Sequence, residues 1–166
     1  MAPNLILYAI PKFFVLIGVE LAWARMRRKQ LYRFSDSIND LSMGIGDQVF
    51  AVVQAGAGFG IWLFIYHHFR LFTLPSGSAW VWIGALVLKD FLYYWAHRLS
   101  HEVNILWAGH APHHQSEEFN LAVALRQGAF QGPLTMWVYW PMAILGFPPL
   151  VYLTISQLVT LYQFFI

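Results

Sequence analysis

The sequence predicts an all-α fold, a polytopic transmembrane helical bundle of about four to five spanning helices with a cytoplasmic histidine cluster. Three observations predict it. Composition is the first: of 166 residues, 58% are hydrophobic, 18% aromatic and only 11% charged, with a mean hydropathy of +0.52, far outside soluble norms. The second is the division of that apolar content into runs of helical length, since one crossing needs roughly 20 apolar residues. The third is a concentration of histidine, His97-x-x-x-His101 followed by His110-x-x-His113-His114, in a chain otherwise poor in polar groups. Residues 1–166 fit one membrane domain, with its motif region over 79–132, and leave no room for a separate soluble domain.

The first run, about Leu5 to Ala24, is interrupted by Lys12 and Glu20 and ends at Arg25, Arg27, Arg28, Lys29 and Arg33, the densest positive cluster in the chain. Those charges are expected on the cytoplasmic side, with the amino terminus outside. Ala22-Trp23-Ala24 resembles a cleavage site only faintly, because no basic segment precedes the run, and an uncleaved helix is expected. A polar passage from Ser35 to Asp47 leads to a second run, about Val49 to Tyr66, whose Gly56, Gly58 and Gly60 suit close helix packing. A short outer loop follows, with His67, His68, Arg70, Pro75, Ser76 and Gly77. The third run, about Ala79 to Ala96, returns to the cytoplasmic side and delivers His97 there. A polar span through Arg126 to Gly132 precedes a fourth run, Pro133 to about Leu145, then a turn at Gly146 to Pro149 and a last run, Leu150 to Ile166. No internal repeat is evident.

The five clustered histidines read as a metal site, since a neutral imidazole offers a nitrogen lone pair and is costly to leave idle beside hydrocarbon. Residues four apart on a helix lie one above the other, so His97 and His101 can share an ion. The same face continued backwards reaches Tyr94 and Asp90, and Asp90, Tyr93 and Tyr94 are candidates to orient a ligand or approach the site. Lys89-Asp90 reads equally as a mutually neutralised pair. Pro112 predicts a turn or a new helix start between His110 and the pair His113-His114. Five imidazoles exceed the need of one ordinary ion with an open position, which favours two metals.

Other classes are excluded or disfavoured by particular residues. His101-Glu102-Val-Asn-Ile lacks the second histidine of a His-Glu-x-x-His protease. Crowded imidazoles do not suit bis-histidine haem ligation, and a metal transporter would place ligands at the bilayer midplane between repeats. A net charge of +2 argues against nucleic acid and for anionic lipid. Zero cysteines exclude disulfides, thiolate clusters and cysteine zinc sites. Glu117 and Glu118 read as a solvated loop or as bridging carboxylates, and His67-His68 as an interfacial loop end.

The passage Asp90-Phe-Leu-Tyr-Tyr-Trp-Ala-His97-Arg-Leu-Ser-His101-Glu, then Leu106-Trp107-Ala-Gly-His110-Ala-Pro-His113-His114-Gln-Ser-Glu117-Glu-Phe-Asn120-Leu-Ala-Val-Ala-Leu125-Arg126-Gln127, resembles the fatty acid hydroxylase/sterol desaturase superfamily. Its Asn-Leu and Ala-Leu-Arg-Gln elements are most similar to the alkylglycerol monooxygenase-like branch and its bacterial members. The resemblance implies a multi-pass membrane enzyme, in a bacterial inner membrane rather than endoplasmic reticulum, whose histidine-held pair of irons uses O₂ to hydroxylate or desaturate a lipid: a fatty acyl chain, sterol or ether lipid. It assigns His97, His101, His110, His113 and His114 to the first two histidine boxes and Asn120 and Arg126 to the segment after them, with Arg126 equally a candidate for a lipid headgroup or donor anion and for a charge solvated at the membrane surface. It also implies an external electron donor, a reduced pterin, cytochrome b5 or ferredoxin. Members carry further histidines after later transmembrane segments, so the resemblance implies a chain cut short of its last boxes. The alternative is a non-catalytic membrane metal-binding or scaffold protein that keeps a partial cluster.

Overall fold

The structure is a computed structural model that describes residues 5–164. The described residues are helical, without strands: α1 Leu5–Met26, α2 Phe34–Phe69, α3 Ala79–Glu102, α4 Asn104–His110, α5 Gln131–Thr135, α6 Trp140–Ile144 and α7 Pro149–Gln163, with short 3-10 turns at Ala111–His114, Val123–Leu125 and Met136–Tyr139. The last two residues of the fifth expected run lie outside the described residues.

Periodicity explains the core. On α3 the buried positions Val81, Ala85, Leu92 and Ala96 fall on one stripe, and on α7 Val151, Ile155 and Val159 recur every four residues. These stripes meet each other and enclose Val138, Met142 and Phe147 from the intervening segment. A second cluster joins α2 to α6, with Trp62 stacked on Tyr152 at 4.4 Å and Ala143 sealed beneath. Helix α1 packs chiefly along α7 and leaves Leu7, Tyr8, Phe14, Val15 and Val19 exposed, as expected of a helix facing lipid.

The helices depart from the expected runs in two places. Helix α2 begins at Phe34 and not near Val49, absorbing the polar passage 35–47, because Asp36 and Asp40 find partners across the fold and no proline interrupts the segment. Its halves Phe34–Gln54 and Gly56–Phe69 meet at 44° beside the glycine series, where side-chain support is least. The fourth run does not form one helix. It breaks into α5, a 3-10 turn and α6, since Pro141 lacks the donor an uninterrupted helix would need and instead opens α6. By length and composition α1 can cross a membrane, and α2 is a second candidate if its bent halves count as one span. The expected number of four to five spans is therefore not reached by these helices, while the all-helical class holds.

Lys89 and Asp90 do not pair. Adjacent residues on a helix point about 100° apart, so Lys89 turns inward with Nζ 3.2 Å from the Tyr139 ring centroid and Asp90 turns out. The final turns of α3, α4 and the 3-10 turn after it converge at one end of the bundle, where the histidines collect.

Candidate metal centre

Three local features build this end of the molecule. His97 and His101 project from the last two turns of α3 with ring centroids 4.9 Å apart. A break at Val103 reverses the chain into α4, which ends on His110, and Pro112 then starts the tight turn that swings His114 back over it. Gly109 and Gly128 let α4 lie directly on the segment before α5: a Cβ at Gly128 would stand 2.0 Å from the Gly109 carbonyl oxygen. Gly128→Ala is accordingly expected to displace α4, costing about 1–3 kcal/mol and weakening metal retention. Thermal unfolding in detergent together with metal content checks this, and an unaltered protein would refute it.

One ring nitrogen from each of His97, His101, His110 and His114 lies within 4.8 Å of the other three. His110 Nε2 and His114 Nε2 are 3.0 Å apart. Two imidazole nitrogens held about 2.1 Å from one ion stand roughly 3.0–3.4 Å apart when adjacent and about 4.2 Å when opposite. The closest pair already has that spacing, and the wider pairs must draw in from as much as 4.8 Å for all four to hold one ion. The all-nitrogen donor set suits iron, zinc, copper or nickel.

Burial tunes these rings toward binding. His110 is 1% exposed, and its pKa is pushed down to about 4, chiefly by desolvation and further by the imidazoles of His97, His114 and His113, against a raising contribution from Gln131. His114 is lowered for the same leading reason, with His113 and His101 adding to it. Both rings are neutral near pH 7, the form that donates a lone pair. His110 Nδ1 and Gln131 Oε1 are both buried, and Gln131 lies close enough to the ring to favour its protonated form. Trp107 stacks on His114 with centroids 5.7 Å apart and covers one side of the cluster.

His113 stands beside this group of four and outside it. Its Nδ1 is 2.7 Å from the Arg126 carbonyl oxygen. A carbonyl only accepts, so Nδ1 carries the proton and Nε2 is left with its lone pair. Of the other sequence candidates, Tyr93 comes nearest, its hydroxyl 3.4 Å from His97 Nδ1. Tyr94 is exposed and its hydroxyl accepts from Arg98 at 3.2 Å, while Asp90 is exposed on the outer side of α3. Glu117 and Glu118 both face Arg33. His67 and His68 close the last turn of α2, far along the chain from the cluster.

Asn120 and Arg126 are buried and turned inward. Asn120 Nδ2 donates to the Leu31 carbonyl at 2.6 Å and its Oδ1 accepts from the Ala122 amide at 2.9 Å. The Arg126 guanidinium, expected to meet a headgroup or donor anion, is held by Asp40 and by the Pro112 carbonyl, at 2.8 and 2.6 Å. Sequence reasoning missed the residues that receive this segment: Glu20, whose carboxylate accepts from the Leu121 amide at 2.8 Å and from the Tyr32 hydroxyl, and Asp36 and Asp40 on α2. Carboxylates four apart in a chain so short of charge were the available signal.

Residues 82–166 match the family model described as fatty acid hydroxylase. Over 166 residues the chain is 38% identical to alkylglycerol monooxygenase of Homo sapiens, a match covering 99% of this chain and 37% of that one. The protein of the same name from Xenopus tropicalis is 38% identical over 164 residues, 99% of this chain and 36% of that one. That from Danio rerio is 36% identical, covering 99% and 37%. The chain thus spans little more than a third of the length of these relatives. No solved structure matches it.

Proposed function

Because this chain belongs to the fatty acid hydroxylase family, we propose that it carries the metal centre of a membrane-bound monooxygenase that oxidises a lipid with O₂. The observation that carries the reading is the convergence of four imidazole nitrogens within 4.8 Å on a chain whose relatives are named for monooxygenation of an alkylglycerol. In this reading His97, His101, His110 and His114 hold iron and His113 turns Nε2 toward a second iron. An ether lipid is the substrate class that the relatives' name favours, ahead of a fatty acyl chain or sterol, and hydroxylation is favoured over desaturation. Iron rather than zinc suits the task, since O₂ activation needs an ion that changes valence. When bound, the metal supplies the oxidising chemistry, while the protein orients ligands and limits water. Inserting one oxygen atom into a C–H bond takes O₂, two electrons and two protons, the second oxygen leaving as water. The electrons come from an external donor, a reduced pterin, cytochrome b5 or ferredoxin.

The centre belongs at a cytoplasmic membrane face. What supports this is the pairing of Arg33, the last residue of the basic cluster, with Glu117 and Glu118 of the histidine loop, which puts the positive charges and the cluster on one side. The protein is expected to retain about two iron ions per chain when purified in mild detergent from iron-supplied cells, and to convert an alkylglycerol under O₂ with reductant. Protein holding only loosely bound zinc, without turnover, would overturn the proposal in favour of a non-catalytic metal-binding role.

A further inference from the structure

We propose that a stripe on α2, Asp36, Asp40 and Gly44, aims His113 at the metal centre by gripping Arg126. The proposal rests on reading the histidine cluster as a metal centre, and it assigns Arg126 and Asp40 as positioning residues rather than ligand-binding ones. Residues spaced by four on a helix share one face, and here that face receives the loop from Ser116 to Arg126. Asp40, 0% exposed, accepts from Arg126 Nη1 at 2.8 Å, and Asp36 Oδ1 lies 3.5 Å from the same nitrogen. The other oxygen of Asp36 accepts from the Ser116 hydroxyl at 2.6 Å and the Glu117 amide at 3.2 Å. One turn beyond Asp40, Gly44 provides the clearance, since a Cβ there would lie 2.5 Å from the Leu125 carbonyl oxygen.

Arg126 then acts on the histidine turn from two sides. Its Nε donates to the Pro112 carbonyl at 2.6 Å, and its own carbonyl accepts the proton of His113 Nδ1 at 2.7 Å. The first contact fixes the residue before His113 and the second fixes the ring and its tautomer. Only a planar guanidinium can donate to Asp40 and Pro112 in two directions from one rigid group, whereas a lysine ammonium is a single point on a flexible stem. Burying three charges is a poor way to gain stability. With Asp40 Oδ2 buried and left without a partner, the arrangement makes better sense as a device that specifies geometry.

The test uses Arg126→Lys and His113→Ala, singly and together, in the detergent-solubilised protein. Two quantities are read: cobalt(II) affinity by chelator competition, and the ¹⁵N shifts of the His113 ring in the metal-free protein. Metal-free wild type should show His113 protonated on Nδ1. Arg126→Lys should mix the tautomers and weaken binding of the second cobalt, the one that His113 serves, by about 10–100-fold, as loss of an outer-shell partner does. It should add nothing once His113 is already alanine. Additive losses in the double variant, or a wild-type His113 protonated on Nε2, would overturn the proposal. The wild-type tautomer is informative even if Arg126→Lys fails to fold. Failure of wild type to bind cobalt would instead count against the metal centre itself.

Discussion

Replacing His110 with alanine is expected to strip the centre of its metal, with affinity falling by more than the roughly 10–100-fold that removal of an outer-shell partner costs. His110 is the one buried member of the four, at 1% exposure, and it sits where α4 hands over to the turn bearing His114. Its ring centroid lies 4.7 Å from that of His97, 4.8 Å from His101 and 4.8 Å from His114. Removing it deletes the ligand the others surround. It also opens a void at the α4–α5 contact, so the remaining rings lose their wall as well as their partner. Iron per chain, measured beside His68→Ala, is the readout. His68 closes α2 with its Nδ1 on the Phe64 carbonyl, away from the cluster, and its replacement should leave iron unchanged. Wild-type iron content in the His110 variant would refute the assignment.

Asp40→Ala is expected to cost about 3–5 kcal/mol of stability, because removing one partner of a buried ion pair leaves the other charge desolvated. Arg126 is 8% exposed and Asp40 is 0% exposed, so little water is at hand to compensate. Asp36, 3.5 Å from the same guanidinium nitrogen, takes up part of the charge, which places the result toward the lower end of that range. By contrast Arg98→Ala, which breaks the exposed pair to Glu102, should leave stability unchanged, as surface pairs are screened by solvent. Equilibrium unfolding of both variants in one detergent makes the comparison. Equal stability of the Asp40 variant and wild type would show that the buried pair is not held as described.

Much of the local structure could be read directly. The apolar run of α1, the four-residue spacing of His97 and His101 on α3, and the turn at Pro112 each follow from short-range rules, namely hydrophobic content, helical period and the missing donor of proline. The fourth run looked like a helix by content alone, yet Pro141 and the fit of Val138 and Met142 into the core broke it into short pieces. The polar passage 35–47 falls outside every apolar run, because its charges have no partner visible in the sequence. They are stabilised in a helix by residues far along the chain, with Asp40 and Arg126 separated by 86 positions.

The same division runs through the site. The sequence by itself determined that this is an apolar, helical chain of the fatty acid hydroxylase family with five imidazoles near the end of one helix, because residue type and spacing are local properties. Only the tertiary structure decided that four of those rings converge within 4.8 Å, that His113 stands aside with Nδ1 on a backbone carbonyl, and that Arg126 faces two carboxylates inward. Those outcomes depend on how helices pack and where buried charges must find partners. Packing distance and desolvation are properties of the folded chain, and no local pattern of residues encodes them.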